Sequence, residues 1–301
     1  MPAPILKYPM QNFVGKTAVI TGGGSGIGEA LARRASALGM NAVLADIDVT
    51  AAERVASELS SRGTRVLAVQ TDVADATSVA ALADAAWTAF GSVDLLCNNA
   101  GVVPAGRYRP VWEYPLEDWY WSFGVNTMGI VHGLRSFVPR MLEQGTPGHI
   151  LNTASVAGFI SGSGSPVYSA AKHAVVRITE ALYASLIERN ANIGVTLLCP
   201  GLVATAIYNS ERNRPAELVP VTGIAEETEE LQAIADNLYK SALSAEEVAI
   251  QSFAAIRDNQ FYVITSNNFD ATIRERAEAI LARRNPRFEN LLVLSKGDVK
   301  S

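Results

Sequence analysis

The chain contains 301 residues, of which 49% are hydrophobic and 18% are charged, and its net charge is −5. This balance is typical of a globular protein with a large buried core, and no Lys/Arg cluster favours nucleic acid or an anionic membrane surface as a partner. No apolar run approaches the ~20 residues that a transmembrane helix needs, and residues 1–12 do not resemble a secretory signal. We therefore expect a cytoplasmic protein without a membrane or nucleic acid partner.

Cysteines and histidines give no sign of a disulfide framework or a metal centre. Cys97 and Cys199 each lie in an apolar run, which is typical of buried, reduced thiols. The three histidines show no metal-ligand spacing, so we predict no metal site.

Strand-like and helix-like segments alternate along the chain. Most strand candidates are continuous apolar runs, as in a parallel sheet that helices cover on both faces. They are residues 17–21, 41–46, 65–72, 93–100, 149–155, 193–200 and 261–265. Helical patterns lie between them at 26–38, 76–90, 116–144, 167–189 and 245–257, and Thr50 with Glu53 predicts a capping box for a helix that ends at Ser60. We predict one α/β domain over 1–301, a doubly wound parallel sheet of about seven strands with helices on both faces.

A glycine-rich turn joins the first predicted strand to the first helix, with the sequence Thr21-Gly22-Gly23-Gly24-Ser25-Gly26-Ile27-Gly28. Glycines let the backbone turn sharply and let a pyrophosphate approach the helix N-terminus. The turn is therefore predicted to bind a dinucleotide through Gly22, Ser25, Gly26, Ile27 and Gly28.

The end of the second predicted strand indicates which dinucleotide binds. Asp46 stands there, where a carboxylate accepts hydrogen bonds from an adenosine ribose and repels a 2′-phosphate. Ile47 follows, and no arginine or lysine stands nearby to bind a 2′-phosphate. We predict NAD as the cofactor; the alternative is that Asp46 is merely a solvated residue at a strand end.

An acid–base group is predicted where the fifth strand meets the next helix. Tyr168 and Lys172 are four residues apart and share a helix face, and Ser155 ends the preceding strand. Oxidation of an alcohol needs a base for the hydroxyl proton, and a neighbouring ammonium group favours the phenolate form of tyrosine. Ser155 would bind the substrate oxygen. The tyrosine–lysine spacing alone is common on surface helices, so its meaning depends on the other two motifs.

Together these motifs resemble the short-chain dehydrogenase/reductase family, whose fold is of the Rossmann type. The resemblance covers about residues 15–265 and rests on the glycine-rich turn, Asn98-Asn99-Ala100-Gly101, Ser155, the Tyr168/Lys172 pair and Pro200-Gly201. It implies an NAD(H)-dependent oxidoreductase that interconverts a secondary alcohol and its ketone, working as a homotetramer.

The resemblance also implies roles for single residues. Tyr168 would be the acid/base, Ser155 the donor to the substrate oxygen, and Lys172 a ligand of the nicotinamide ribose. Asn126 would hold a water in a proton path from the lysine. The remaining implied cofactor contacts are Asp72, Val73, Asn99, Ala100, Gly101, Pro200, Gly201, Val203 and Thr205.

Three regions carry open interpretations. Residues 203–244 are expected to form a mobile lid with a short acidic helix near 226–238, and residues 267–301 a helical extension of unknown role. Phe159 is expected on the pocket wall opposite the lid, so the substrate would be apolar or aromatic. An aromatic cluster either lines the pocket, packs the core or forms a subunit contact; it comprises Tyr108, Trp112, Tyr114, Trp119, Tyr120, Trp121 and Phe123.

Two other functions use the same cofactor site and stay open at this stage. One is epimerisation or dehydration. The other is a nucleotide-sensing role without catalysis, which would need none of the acid–base residues.

Overall fold

The computed structural model describes residues 10–106, 109–160, 164–224 and 242–287. One seven-stranded parallel sheet forms its centre, in the order β3-β2-β1-β4-β5-β6-β7. The strands are β1 (Thr17–Thr21), β2 (Asn41–Asp46), β3 (Val66–Gln70), β4 (Leu95–Asn98), β5 (Gly148–Thr153), β6 (Ile193–Cys199) and β7 (Tyr262–Ile264). The strand order reverses between β1 and β4, as in a Rossmann-type sheet, so the predicted fold class is confirmed.

Helices cover both faces of the sheet because its central strands are apolar on both sides. The helices are α1 (Gly26–Ala37), α2 (Val49–Ser61), α3 (Ala76–Phe90), α4 (Leu116–Phe123), α5 (Gly129–Gln144), α6 (Pro166–Glu188), α7 (Ala245–Asp258) and α8 (Asp270–Leu281). In β1, Ala18 and Ile20 pack into a core cluster with α1, α2 and α7. Val19 points the other way, into a cluster with α3, α5 and α6.

Two predicted helices differ from the observed ones. The predicted helix 116–144 is divided into α4 and α5 by a π-helical turn, Gly124–Met128. The predicted capping box of Thr50 and Glu53 is wrong, because α2 begins earlier and Asp48 caps it, accepting a hydrogen bond from the Ala51 N–H at 3.1 Å. Aspartate caps helices as well as threonine does, so the pattern alone could not choose between the two starts.

Several other expectations can be compared with the described residues. Cys97 and Cys199 are buried free thiols, as predicted. None of the described helices combines the length and apolar character that crossing a bilayer requires. The predicted acidic helix near 226–238 and the part of the C-terminal extension after 287 lie outside the described residues.

Candidate active site

A cavity of about 840 Å³ lies at the carboxyl edge of the sheet, where the loops after strands β1 to β6 meet. In parallel α/β sheets this edge is the usual place for ligands. Most residues selected from the sequence line it: Gly22, Ser25, Gly26, Ile27, Asp46, Asp72, Val73, Asn99, Ala100, Gly101, Ser155, Tyr168, Lys172, Pro200, Gly201, Val203 and Thr205. Gly28 and Asn126 are not part of the lining. Gly28 packs within the glycine-rich turn, and Asn126 contacts the loop after β4.

The glycine-rich turn leads directly from β1 into α1, whose N-terminus lies at the cavity. Ser25 precedes α1 without capping it through its side chain. Gly28 permits the close packing of this turn, since a Cβ atom there would lie 1.9 Å from the carbonyl oxygen of Gly22. The first amides of α1 and the positive end of its dipole are therefore available to an anion.

Asp46 ends β2 at the same wall of the cavity. Its carboxylate accepts hydrogen bonds from the backbone N–H of Gly24 at 2.9 Å and of Asp48 at 3.1 Å. Burial raises the pKa of this carboxyl, and the two hydrogen bonds oppose the rise. A carboxylate offers about four lone-pair sites, so roughly two remain for the hydroxyl groups of a ribose.

One cation from a distant segment acts on Asp46, and the expectation that no cation there binds a 2′-phosphate stays a prediction. Arg212, on the 3₁₀ segment Ala206–Asn213, lines the same cavity, and its charge acts on Asp46. Arg54 of α2 donates a hydrogen bond to the Gly24 carbonyl at 3.1 Å, but its charge is paired with Glu29 at 2.6 Å. Arg212, from a segment far away in the sequence, therefore contributes one positive charge to this cavity.

Tyr168, Ser155 and Lys172 converge on the opposite half of the cavity. Tyr168 lies in the first turn of α6, near enough to Ser155 for that hydroxyl to influence the pKa of the phenol. One turn later, the Nζ atom of Lys172 lies 5.6 Å from the centre of the Tyr168 ring and donates a hydrogen bond to the Thr153 carbonyl at 2.9 Å. Ser155 is fixed in turn, since its hydroxyl accepts the Ala157 N–H at 3.2 Å.

Burial shifts both titrating groups toward their neutral forms. It raises the pKa of Tyr168, and the nearby Ser155 hydroxyl opposes this rise. It lowers the pKa of Lys172 to about 8. Near neutral pH the lysine therefore stays largely protonated, whereas the phenol needs additional positive charge beside it to ionise.

Asn126 lies in the π-helical turn and is fully buried. Its side chain donates to the Val102 carbonyl at 2.9 Å and to the Ser122 hydroxyl at 3.0 Å, and it accepts the Val102 N–H at 3.1 Å. Asn126 and Lys172 both lie against Gly101. A Cβ atom added to Gly101 would be 2.9 Å from Asn126 Oδ1 and 3.3 Å from Lys172 Nζ, so the two side chains are close to one another. The structure thus gives Asn126 a role in holding the loop after β4, and its role in a proton path stays a prediction.

This geometry can be compared with known proteins. The model of the short chain dehydrogenase family matches residues 16–216. The chain belongs to this family. Its relatives include a CLA biosynthesis dehydrogenase/reductase of Lactiplantibacillus plantarum, which is 34% identical over 92% of this chain and 97% of that protein. A 1-deoxy-11-beta-hydroxypentalenate dehydrogenase of Streptomyces exfoliatus is 39% identical over 87% of this chain and 86% of that protein.

A solved structure resembles this short-chain dehydrogenase over most of its length. It is a short chain dehydrogenase/reductase from Burkholderia phymatum in complex with NAD. The two share 45% sequence identity, with a TM-score of 0.86 over 93% of this chain and 99% of that one.

Several residues of this short-chain dehydrogenase that line the cavity come from segments that the motifs did not mark. They are Tyr120 and Trp121 of α4, Ile207, Tyr208 and Leu218 of the segment after Thr205, and Asn268, Phe269 and Thr272 near the start of α8. The run of aromatic residues before Asn126 was the sequence signal for the first two. Ile207, Tyr208 and Leu218 belong to the segment expected to form the lid, whose apolar residues were expected to shape the pocket, whereas Asn268, Phe269 and Thr272 had no local signal.

The aromatic cluster divides among different environments. Tyr120 and the buried Trp121 line the cavity, Tyr114 is buried, and Trp112 is 81% exposed. Trp119 and Phe123 stack on one another with ring centres 6.1 Å apart. Tyr108 lies outside the described residues.

Phe159 does not form the expected pocket wall. Its ring packs against that of Tyr262 at 6.3 Å, and its neighbour Ile160 lines the cavity instead. A 3₁₀ turn follows Ser155 and directs the Phe159 side chain away from the cavity. The sequence pattern alone did not predict this turn.

Proposed function

We propose that this short-chain dehydrogenase is an NAD(H)-dependent oxidoreductase that interconverts a secondary alcohol and its ketone. The observation that carries the proposal is the meeting of Tyr168, Ser155 and Lys172 in the cavity that also contains the glycine-rich turn and Asp46. A phenol near a hydroxyl and a buried ammonium group is suited to moving one proton at a substrate oxygen.

The residues at the other end of the cavity fit NAD. The uncapped N-terminus of α1 suits a pyrophosphate, and the free lone pairs of Asp46 suit a ribose with both hydroxyl groups. The Burkholderia relative binds NAD on a closely similar fold. When bound, this cofactor would supply the hydride acceptor.

The chain's own residues would handle the proton. In the oxidation direction the Tyr168 phenolate takes the alcohol proton, while Ser155 donates a hydrogen bond to the same substrate oxygen. Because burial raises the pKa of Tyr168, the protonated Lys172 and the cationic form of the cofactor are both needed to favour the phenolate. In the reduction direction the neutral phenol returns the proton to the developing alkoxide.

The walls around these residues favour an apolar substrate. Trp121, Val156, Ile160, Ile207, Leu218 and Phe269 contribute apolar side chains to the cavity. Such walls bind a hydrocarbon or aromatic group by excluding water, with the polar pair Ser155 and Tyr168 orienting the carbinol. We therefore expect bulky apolar secondary alcohols to be better substrates than small polar ones.

A turnover assay with one matched pair of variants tests the proposal. Purified protein should reduce NAD in the presence of an apolar secondary alcohol. Tyr168→Phe should lose all but about a hundredth of kcat, while NADH binding measured by fluorescence is kept. Tyr262→Phe is the control, because it removes a tyrosine hydroxyl outside the cavity, one bonded to Glu180 at 2.9 Å. Turnover by Tyr168→Phe above about a tenth of wild type would show that another group is the acid/base.

A further inference from the structure

A buried charge cluster fastens the segment after Thr205 to α4. Arg214 is at its centre, with a side chain only 2% exposed. Its guanidinium group contacts Asp118 Oδ1 at 2.7 Å and Glu211 at 2.5 and 2.9 Å, and it donates to the Leu218 carbonyl at 2.9 Å. It also stacks over the ring of Trp121 at 4.1 Å.

These contacts join three separate parts of the chain. Asp118 and Trp121 belong to α4, whereas Glu211 and Leu218 belong to the segment 206–218. Glu211 also accepts the N–H of Ala105 at 2.8 Å, in the loop after β4. Trp121 and Leu218, which Arg214 contacts directly, both line the cavity.

The cluster can fix the orientation of the segment 206–218 relative to α4. The planar guanidinium group presents five donors in fixed directions, so few arrangements of its partners satisfy it. Breaking a buried ion pair leaves an uncompensated charge, which is strongly unfavourable, although an apolar replacement of the whole cluster would be about as stable. Its distinctive contribution is therefore to specify how the segment 206–218 lies against α4.

We propose that Arg214 is a positioning residue that fixes the wall formed by Trp121 and Leu218 and so determines which alcohols fit. This inference rests on the proposed function and adds its specificity element. A bulky apolar alcohol packs against that wall, whereas isopropanol hardly reaches it. Loosening the wall should therefore penalise the bulky substrate selectively.

The test compares Arg214→Met and Asp118→Asn with wild type on isopropanol, cyclohexanol and the phenyl and naphthyl methyl carbinols. We expect KM for the naphthyl carbinol to rise about tenfold in Arg214→Met, with kcat and the isopropanol values within about a factor of two or three. The Kd of NADH should be unchanged. Arg214→Lys keeps the charge but not the fork of donors, so it should restore only part of the loss.

The control is a partly buried ion pair at the opposite edge of the sheet, in which the aspartate is buried and the lysine is partly exposed. Asp94 is 3% exposed, pairs with Lys16 at 2.9 Å and accepts the Thr17 N–H at 2.9 Å. Asp94→Asn should lower thermal stability without changing the ratio of kcat/KM between naphthyl carbinol and isopropanol. An equal change of that ratio in Asp94→Asn, or an unchanged ratio in Arg214→Met and Asp118→Asn, would overturn the proposal.

Hydrogen exchange separates this inference from the proposed function. Amides in 206–218 should lose protection in Arg214→Met, or in Asp118→Asn if the former does not fold, and keep it in Asp94→Asn. This measurement needs no turnover. If the wild-type protein had no activity on any alcohol, the proposed function would be refuted. If exchange in 206–218 were unchanged in the Arg214 or Asp118 variant, only the positioning role would be refuted.

Discussion

Removing the charge of Asp46 should abolish most of the preference for NAD over NADP. Asp46→Asn keeps the shape of the side chain and one acceptor for the Gly24 N–H, so the glycine-rich turn should keep its structure, but its amide nitrogen cannot accept the hydrogen bond from the Asp48 N–H. The variant therefore removes the charge together with that one hydrogen bond. A second change, Ile47→Arg, would place a cation beside it at a position that is already 38% exposed.

The expected size of the preference for NAD over NADP follows from the position of Asp46 on the half-buried cavity wall. Two unit charges about 5 Å apart repel by about 1.7 kcal/mol at an effective dielectric constant near 40, so a phosphate of about −2 is opposed by about 3.3 kcal/mol. Arg212 on the same wall offsets part of this repulsion. A preference of roughly a hundredfold for NAD remains, at about 1.4 kcal/mol for each factor of ten.

The assay is kcat/KM with each cofactor at a fixed alcohol concentration, with the Kd of NADH and NADPH as a check. Asp46→Asn should bring the two cofactors within about tenfold of each other, and adding Ile47→Arg should favour NADP. Arg212→Gln should widen the wild-type preference instead. Equal kcat/KM with NAD and NADP in the wild type would refute the reasoning.

Three further predictions concern the same site and the assembly. Because burial raises the pKa of Tyr168, and because the phenolate also needs the protonated Lys172, whose pKa is about 8, alcohol oxidation should accelerate with pH from about 6 to about 8 and gain little above that, while ketone reduction should not accelerate; parallel pH profiles in both directions would contradict this. Phe269 lines the cavity and lies against Gly201, where a Cβ atom would be 2.8 Å from its ring, so Phe269→Ala should raise KM for a bulky alcohol about tenfold and leave the Kd of NADH nearly unchanged in fluorescence titrations. The protein should form a homotetramer, which light scattering would contradict by reporting a single chain at micromolar concentration.

The expected lid remains a prediction, with one qualification from the structure. Both ends of the segment are joined, since Val203 and Leu243 form a β-bridge. Within it, Ser210 accepts the Val103 N–H at 3.2 Å, and Arg214 binds Asp118. Movement of the part 206–218 would have to break these buried contacts, so hydrogen exchange with and without NADH is the measurement that tests the lid.

Local spacing was enough to predict the sheet and the main motifs. Continuous apolar runs identify strands buried on both faces, and the confirmed fold follows from their alternation with helical patterns. The four-residue spacing of Tyr168 and Lys172 needs only one helical turn to place both at the cavity. The glycine-rich turn likewise depends on its own backbone and the first strand.

Tertiary structure decided what depends on distant segments. Arg214 meets Asp118 across 96 positions of the chain, and Arg212 approaches Asp46 from the same segment. Neither contact has a periodic or local pattern, because the path of a long loop depends on burial and charge pairing with distant parts of the chain. The π-helical turn that holds Asn126 is of the same kind, since helix propensity alone predicts an uninterrupted helix there. The sequence by itself therefore determined the fold and the residues that meet in the cavity as candidate acid–base groups, whereas the packing of loops onto that fold decided the other walls of the cavity.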